Sequence, residues 1–217
     1  MYWRLGDKGC TAEDASGLGT TGTYAGHPKL RAAPLIADRN PSVHLDGKDD
    51  QIAFGPSRTS MPTRAISVEA WVRPDQVPTS PGAAWQLVTK WNTALLFLNG
   101  GPRPKFVFAL AEPEDALYKP RVTGKVTVKP STVYHVVGTY DGSKIRIYVN
   151  GTLAGAVTYK KGLQDPDYGG ALAYAGWGTL PSPHFHGTLD EVAIYGHAIT
   201  AKRIEAHYRA GIGAAGH

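Results

Sequence analysis

The sequence predicts an all-β protein, a two-sheet antiparallel β-sandwich that ends in one short helix. Short apolar runs alternate with turn residues along 217 residues, which include 26 Gly and 16 Pro. Ile66–Val72 alternates strictly between apolar and other side chains, as a half-buried strand does. The dipeptides Asp141-Gly142 and Asn150-Gly151 follow apolar runs and favour tight β-hairpin turns. The length suits a single domain, 1–217, because sandwiches of this size often form one domain.

The clearest local prediction is a three-stranded meander over Val133–Thr158. Its middle strand alternates, with Ile145, Ile147 and Val149 on one face and Arg146 on the other, so one face is expected to be buried. The two dipeptide turns separate its three strands. This segment therefore predicts consecutive antiparallel strands in one sheet.

One helix is predicted near the C-terminus. Thr200 is a suitable N-cap for a helix over Ala201–Arg209, because its hydroxyl can accept a free N–H of the first turn. Ile204 and Tyr208 share one face of that helix. Gly211 is predicted to end it.

Charge and composition exclude several partner classes. The formal net charge is +5, but the basic residues are dispersed, so no nucleic acid is expected as a partner. The charge is compatible with acidic glycans or with a solvated basic surface. The chain holds one cysteine, Cys10, and therefore no intrachain disulfide. No apolar segment is long enough for membrane insertion. Tyr2–Leu5 follows Met1 at once and looks like a strand, so no signal peptide is expected in this chain.

Four segments together resemble one known family. They are Tyr2–Leu5 with Asp14–Gly17, Val43–Gly47, Ser67–Pro74, and Tyr134–Gly151 with Gly187–Tyr195. Their order and spacing resemble the laminin G-like branch of the concanavalin A-like jelly rolls. The resemblance implies two face-to-face sheets and pairing of Tyr2–Leu5 with Leu189–Tyr195. It also implies recognition rather than catalysis, often of carbohydrate and sometimes with calcium.

Two acidic groups are candidates for a metal. Asp14 opens a Gly-rich loop, and in this family's fold Asp190 would lie beside it, so the two are predicted to share a structural calcium ion with loop carbonyls. The alternative is that Asp14 forms an Asx-turn and Asp190 caps loop amides. Asp46, Asp49 and Asp50 form a second cluster, which is interpreted as a hydrophilic turn because its spacing differs from that of an EF-hand loop.

The sequence does not predict an enzyme. Glu69 and Glu191 are the available acid–base candidates, since glycoside hydrolysis uses two carboxyl groups. Asp190 and Glu191 are adjacent in a strand, so their side chains are expected on opposite faces. The glutamate pattern of glucanases with this fold is absent from the chain, as is a Gly-x-Ser-x-Gly elbow.

Aromatic residues in the Gly- and Pro-rich loops suggest a carbohydrate-binding surface, because sugars stack their C–H faces on aromatic rings. Trp71 and Trp91 are assigned to the core. The predicted ligand-binding residues are Tyr168, Trp177, His184, Asp165 and Asp167. The preferred function is a non-catalytic, lectin-like recognition or adhesion module, outside the cell or on a particle surface. The alternatives are a structural decoration or tail-associated protein of a bacteriophage virion and, third, a glycan-cleaving enzyme.

Overall fold

A computed structural model describes residues 1–56, 64–112, 118–163, 168–174 and 184–213. These residues confirm the all-β prediction: they form sixteen strands and one helix. The elements are β1 (Tyr2–Trp3), β2 (Thr11–Ala12), β3 (Gly22–Ala25), β4 (Lys29–Ala32), β5 (Ser42–Asp46), β6 (Gln51–Phe54), β7 (Ile66–Pro74), β8 (Ala84–Lys90), β9 (Ala94–Asn99), β10 (Lys105–Leu110), β11 (Arg121–Thr123), β12 (Tyr134–Tyr140), β13 (Lys144–Val149), β14 (Thr152–Thr158), β15 (Gly170–Leu172), β16 (His186–Tyr195) and α1 (Ala201–Gly211).

The strands form two eight-stranded sheets. Sheet A has the order β14-β13-β12-β7-β16-β5-β4, with β1 also paired to β16. Sheet B has the order β11-β10-β9-β8-β15-β6-β3-β2. Every pairing between described strands is antiparallel. The predicted meander is β12-β13-β14, and its second turn has Asn150 and Gly151 at positive φ, as a tight hairpin requires.

The main core lies between the inward faces of the two sheets. Ile66, Val68, Ala70 and Val72 all belong to it, which confirms the alternation read from the sequence. Trp71 is buried as predicted, but on the opposite face of β7, beneath α1. Sheet A therefore buries both faces along β7, one against sheet B and one against the helix.

The terminal strands pair as the family resemblance implied. Tyr2 lies opposite Ala193, and Trp3 lies opposite Val192. The N-terminal amine of Met1 donates to the carbonyl of Ile194 at 3.1 Å. The N-terminal strand β1 thus lies beside the closing strand β16 in sheet A.

A β-bulge interrupts β16 where two residues of that strand oppose one residue of β7. Asp190 pairs with Trp71 and Ala193 with Glu69, so the register shifts between them. Glu191 has a φ of 48° there, in the left-handed region. Leu189 and Val192 both belong to the core. The expectation that Asp190 and Glu191 face opposite sides was therefore wrong, because a bulge adds a residue to the outer face.

The helix begins as predicted and ends later. The Thr200 hydroxyl accepts the N–H of Arg203, and the helix continues to Gly211. Gly211 is the last helical residue, two residues beyond the predicted Arg209, and it packs closely: a Cβ there would lie 2.1 Å from Cζ2 of Trp71. The left-handed residue after the helix is Gly213, with a φ of 70°.

The close approach of Gly211 to Trp71 predicts a destabilised Gly211→Ala variant. Alanine favours helix by about 1 kcal/mol over glycine, but the added methyl group must push α1 away from the indole. We expect a net loss of about 1–3 kcal/mol in the free energy of unfolding, measured by urea denaturation. Gly9→Ala is the control, because a Cβ at Gly9 meets nothing within 4 Å. Equal or higher stability of Gly211→Ala would contradict the packing described.

Candidate functional site

Four aromatic side chains gather around the turn between β8 and β9. Trp91 begins this turn, and its ring meets that of Tyr174 edge-on at a centroid separation of 6.2 Å. The backbone of Tyr168 contacts the same turn through Lys90, and the residue is 52% exposed. The hydroxyl of Tyr118 contacts the turn backbone at Asn92. We call Trp91, Tyr118, Tyr168 and Tyr174 the aromatic turn surface.

Backbone contacts with Tyr168 and Gly169 hold this surface in place. The ammonium group of Lys90, which is 1% exposed, donates to the carbonyl of Tyr168. The N–H of Trp91 donates to the carbonyl of Gly169 at 3.1 Å. A Cβ at Gly170 would lie 2.0 Å from the carbonyl oxygen of Thr89, so only glycine allows β15 to approach β8 this closely. The exposed Tyr168 ring is therefore presented from a fixed backbone.

Tyr118 connects the turn to the outer face of sheet B. Its hydroxyl accepts the N–H of Asn92 at 3.1 Å and donates to the carbonyl of Lys90 at 3.3 Å. Burial raises the pKa of Tyr118 to about 12, so the hydroxyl stays protonated at neutral pH. Its ring packs on a small apolar cluster that includes Leu95 and Phe97. Asn92 has a φ of 55° and lies at the tip of the turn.

This arrangement suits contact with a partly apolar ligand. Aromatic rings offer flat apolar faces, and the half-buried Asn92 adds amide groups at the same place. Trp91, which the sequence assigned to the core, is only half-buried. Its position at the hairpin tip explains the difference, because only part of its ring is covered by the neighbouring strands.

The predicted ligand-binding residues are not all at this place. Tyr168 belongs to the aromatic turn surface, whereas Nδ1 of His184 lies 3.1 Å from the carbonyl oxygen of Asp50, just before β6. Gly170 pairs with Phe54 at the other end of β6. Tyr168 and His184 are therefore separated by roughly four residues of strand, on the order of 13 Å. Trp177, Asp165 and Asp167 lie outside the described residues, and their roles stay predictions.

Both carboxylate oxygens of Asp14 accept hydrogen bonds from nearby donors. Oδ1 accepts from the N–H of Tyr2 and from the N–H and hydroxyl of Ser16, and Oδ2 accepts from the N–H of Thr20. Burial acts to raise the pKa of Asp14, but these hydrogen bonds outweigh it and leave the pKa lowered. This geometry has the features of the Asx-turn alternative, and donors that point at both oxygens compete with a cation.

Asp190 is fully buried on β16, and its two oxygens differ. Oδ2 accepts the N–H of Leu35 at 2.9 Å, while Oδ1 finds no partner among the described residues. Burial raises the pKa of Asp190 to about 7. One unpartnered oxygen is far from the six to eight that calcium takes, so Asp14 and Asp190 as described fit a shared ion poorly. The shared calcium ion stays a prediction.

The Asp46, Asp49 and Asp50 side chains do converge in the turn between β5 and β6. Their carboxylate oxygens lie within 4.8 Å of one another, so the cluster could hold a cation. Asp50 accepts the N–H groups of His27 and Asp46 at 2.7 and 2.8 Å. Lys48 contacts Asp46 at 3.3 Å. These contacts are the ones that a hydrophilic turn makes.

Glu69, one of the two acid–base candidates, lies in a hydrogen-bonded network beneath α1. Its Oε1 lies 2.6 Å from Nε2 of His135 and 2.9 Å from Nδ1 of His207, and its Oε2 accepts the hydroxyl of Tyr195 at 2.8 Å. Burial acts to raise the pKa of Glu69, but the hydrogen bonds and charges of the two histidines lower it to about 2. The carboxylate thus joins β7, β12, β16 and α1.

Glu191, the other candidate, lines the same cavity as Glu69. The cavity has a volume of about 790 Å³ and lies between α1, the start of the chain and sheet A. The hydroxyl of Tyr2 donates to Oε2 of Glu191, and Nε of Arg4 lies 3.1 Å from Oε1. Burial, which takes the carboxylate out of water, raises the pKa of Glu191 to about 7. The bulge in β16 is what brings this carboxyl group to the cavity.

The two antiparallel sheets and their strand order define a jelly-roll sandwich. A laminin G family model described as "Concanavalin A-like lectin/glucanases superfamily" matches residues 46–205, and the chain belongs to this family. No curated protein sequence matches the chain. Among the described residues, no helix combines the length and apolar character that a membrane crossing requires.

Several solved structures share the fold. Domain 4 of an extracellular arabinanase from Geobacillus stearothermophilus, in complex with arabinotriose, is 18% identical, with a TM-score of 0.68 over 94% of this chain and 95% of that one. The ligand-binding domain of botulinum neurotoxin serotype D, in complex with N-acetylneuraminic acid, is 14% identical with a TM-score of 0.73. The chain covers only 50% of that structure. The binding domain of Paraclostridial Mosquitocidal Protein 1 is 13% identical with a TM-score of 0.68, again over about half its length, 51%.

The network around Glu69 predicts a large effect of Glu69→Gln on stability. Loss of the charge leaves His135 and His207 without their carboxylate, so the free energy of unfolding should fall by about 2–4 kcal/mol near neutral pH. In the wild type, the stabilisation that the Glu69 carboxylate provides is fully present at pH values above 4.5, the ordinary pKa, and is lost as pH falls towards 2. Urea denaturation at several pH values measures this, with the exposed Glu205→Gln as control. A Glu69→Gln variant as stable as Glu205→Gln would refute the network's role.

Glu191 should make the free energy of unfolding depend on pH in the opposite direction from Glu69. Its pKa rises from 4.5 in the unfolded chain to about 7 in the folded one, so stability decreases as pH rises through this window. Asp190 acts in the same direction. Glu191→Gln cannot ionise, and its loss of stability between pH 5 and pH 8 should be smaller than that of the wild type. Exposed Glu13→Gln serves as control and should keep the full loss; an equal loss in Glu191→Gln would count against the burial of this charge.

Proposed function

We propose that this protein is a non-catalytic carbohydrate-binding module that uses the aromatic turn surface. The observation that carries the proposal is the ring pair of Trp91 and Tyr174, beside which the backbone of Tyr168 and Gly169 is hydrogen-bonded, with Tyr168 itself 52% exposed. Sugars place C–H faces on such rings and satisfy their hydroxyls with amide and backbone groups. Asn92 offers amide groups at the tip of the same turn.

The arabinanase domain supports the ligand class. It matches the chain over nearly the full length of both proteins, and its structure contains arabinotriose. The botulinum ligand-binding domain, in complex with N-acetylneuraminic acid, is weaker support, because the chain covers only 50% of it. An extracellular location for this chain is part of the same proposal, since the arabinanase is described as extracellular.

The contacts of the two candidate carboxylates favour binding over cleavage. Both oxygens of Glu69 are engaged by His135, His207 and Tyr195, so this carboxylate serves the docking of α1. The other candidate, Glu191, accepts hydrogen bonds from the Tyr2 hydroxyl and from Nε of Arg4. The alternative of a bacteriophage virion component has no supporting observation among the described residues.

The predicted residues outside the aromatic turn surface extend the proposal. Trp177, Asp165 and Asp167 are close to Tyr168 and Tyr174 in sequence, and we propose that they widen the binding surface. His184 lies near the far end of β6 and would contact only a longer oligosaccharide. Binding is expected to be weak, because an open surface buries little of its ligand.

Tyr168→Ala tests this function directly. A glycan array that includes arabinotriose would select the ligand, and titration calorimetry would then compare the variants. Loss of one stacking ring should raise the Kd about two- to tenfold, with an unchanged melting temperature. Leu153→Ala is the matched control, because Leu153 is 53% exposed on β14, far from the turn. Binding that is equal in the two variants would reject the aromatic turn surface, and release of reducing ends from the ligand would place the protein among enzymes.

A further inference from the structure

Two histidines and an aspartate meet on the outer face of sheet A, away from the aromatic turn surface. Nε2 of His44 lies 2.8 Å from Oδ2 of Asp75, and Nε2 of His186 lies 3.8 Å from the same oxygen. The three ligand atoms all lie within 4.8 Å of one another. The side chains are between 24% and 31% exposed, so the group is open to solvent on one side.

Backbone pairing fixes the three residues relative to one another. His44 is on β5, directly opposite Thr188, so His186 is its diagonal neighbour on the adjacent strand β16. The N–H of Asp75 donates to the carbonyl of His186 at 3.0 Å, which ties the end of β7 to β16. Gly47 leaves the space for His186, since a Cβ at Gly47 would lie 2.8 Å from the Cβ of His186. The donors are therefore presented from three neighbouring strands.

The His44–Asp75 separation of 2.8 Å is that of a hydrogen bond, and the two separations together bracket the spacing of ligands around a small divalent ion. Zinc binds nitrogen and oxygen at about 2.0–2.1 Å with tetrahedral angles, which places its ligands about 3.3 Å apart. The separations of 2.8 and 3.8 Å lie on either side of that value. In contrast, 3.8 Å is too long for a hydrogen bond from His186.

The second oxygen of Asp75 has its own partner. Nε of Arg73 lies 3.7 Å from Oδ1, and Nη2 of Arg73 donates to the hydroxyl of Thr188 at 3.2 Å. The guanidinium group thus orients the carboxylate and leaves Oδ2 towards the histidines. A group of this kind, which holds a ligand without touching the ion, is a common feature of metal sites.

We propose that His44, His186 and Asp75 form a binding site for a divalent transition metal of the zinc class. Two imidazole nitrogens select such ions over calcium, which takes oxygen ligands. Three protein ligands leave a fourth position open to solvent. The ion joins β5, β16 and the end of β7, so it stabilises this end of sheet A.

Thermal unfolding of the full, untagged chain with and without zinc tests the proposal. After treatment with EDTA and its removal, zinc at about one hundred times the Kd should raise the melting temperature by about 5–10 °C. His44→Ala, His186→Ala and Asp75→Asn should each lose most of this shift. His197→Ala is the control and should keep it, because His197 is exposed and its ring contacts Tyr195 instead of the group.

Cobalt provides a second readout that does not depend on stability. Co²⁺ in a site with two imidazoles and a carboxylate should give visible absorption in the wild type and in His197→Ala, and zinc should displace it. The proposal is wrong if zinc leaves the wild-type melting temperature unchanged, or if His186→Ala retains both the shift and the cobalt absorption. A stoichiometry well above one in calorimetry, equal in all variants, would assign the binding to scattered surface histidines.

Discussion

The closing strand β16 holds the described structure together. It pairs with β7 along most of its length, with β5 on the other side and with β1 at the start of the chain. Its inward residues, among them Leu189 and Ile194, belong to the core between the sheets. Its outward residues reach α1, the cavity and the histidine–aspartate group. A strand that is hydrogen-bonded on both edges cannot shift its register without moving every side chain to another face.

The bulge in β16 determines the chemistry of the outer face. It places Asp190 and Glu191 on the same side of sheet A, although they are adjacent in sequence. Burial then raises the pKa of both carboxyl groups to about 7, whereas the histidine contacts of Glu69 lower its pKa to about 2. Opposite shifts in one cavity are a common feature of active sites. Here the contacts of Glu69 with α1 give a structural reason for its shift.

The two sheets separate the proposed roles. The aromatic turn surface belongs to sheet B and its neighbouring segments, and the proposed metal group belongs to sheet A. Such a fold presents different sites on one scaffold, so membership of the family does not by itself assign a ligand. Carbohydrate as the ligand class and Tyr168 as its contact are therefore both parts of the proposed function, and each is tested separately from the fold.

The sequence alone determined the features that depend on local pattern. The alternation in Ile66–Val72, the Asn150-Gly151 turn and the Thr200 cap each need only a few neighbouring residues, and the structure confirms all three. The tertiary structure decided the rest. The last helical residue, Gly211, packs against Trp71 of β7, and the bulge at Glu191 shifts the register of β16 against β7. His44 and Asp75 are 31 residues apart in the chain, and their side chains meet only because β16 lies between β5 and β7. Periodicity reports the face on which a side chain lies, but only the pairing of distant strands places donor atoms within bonding distance.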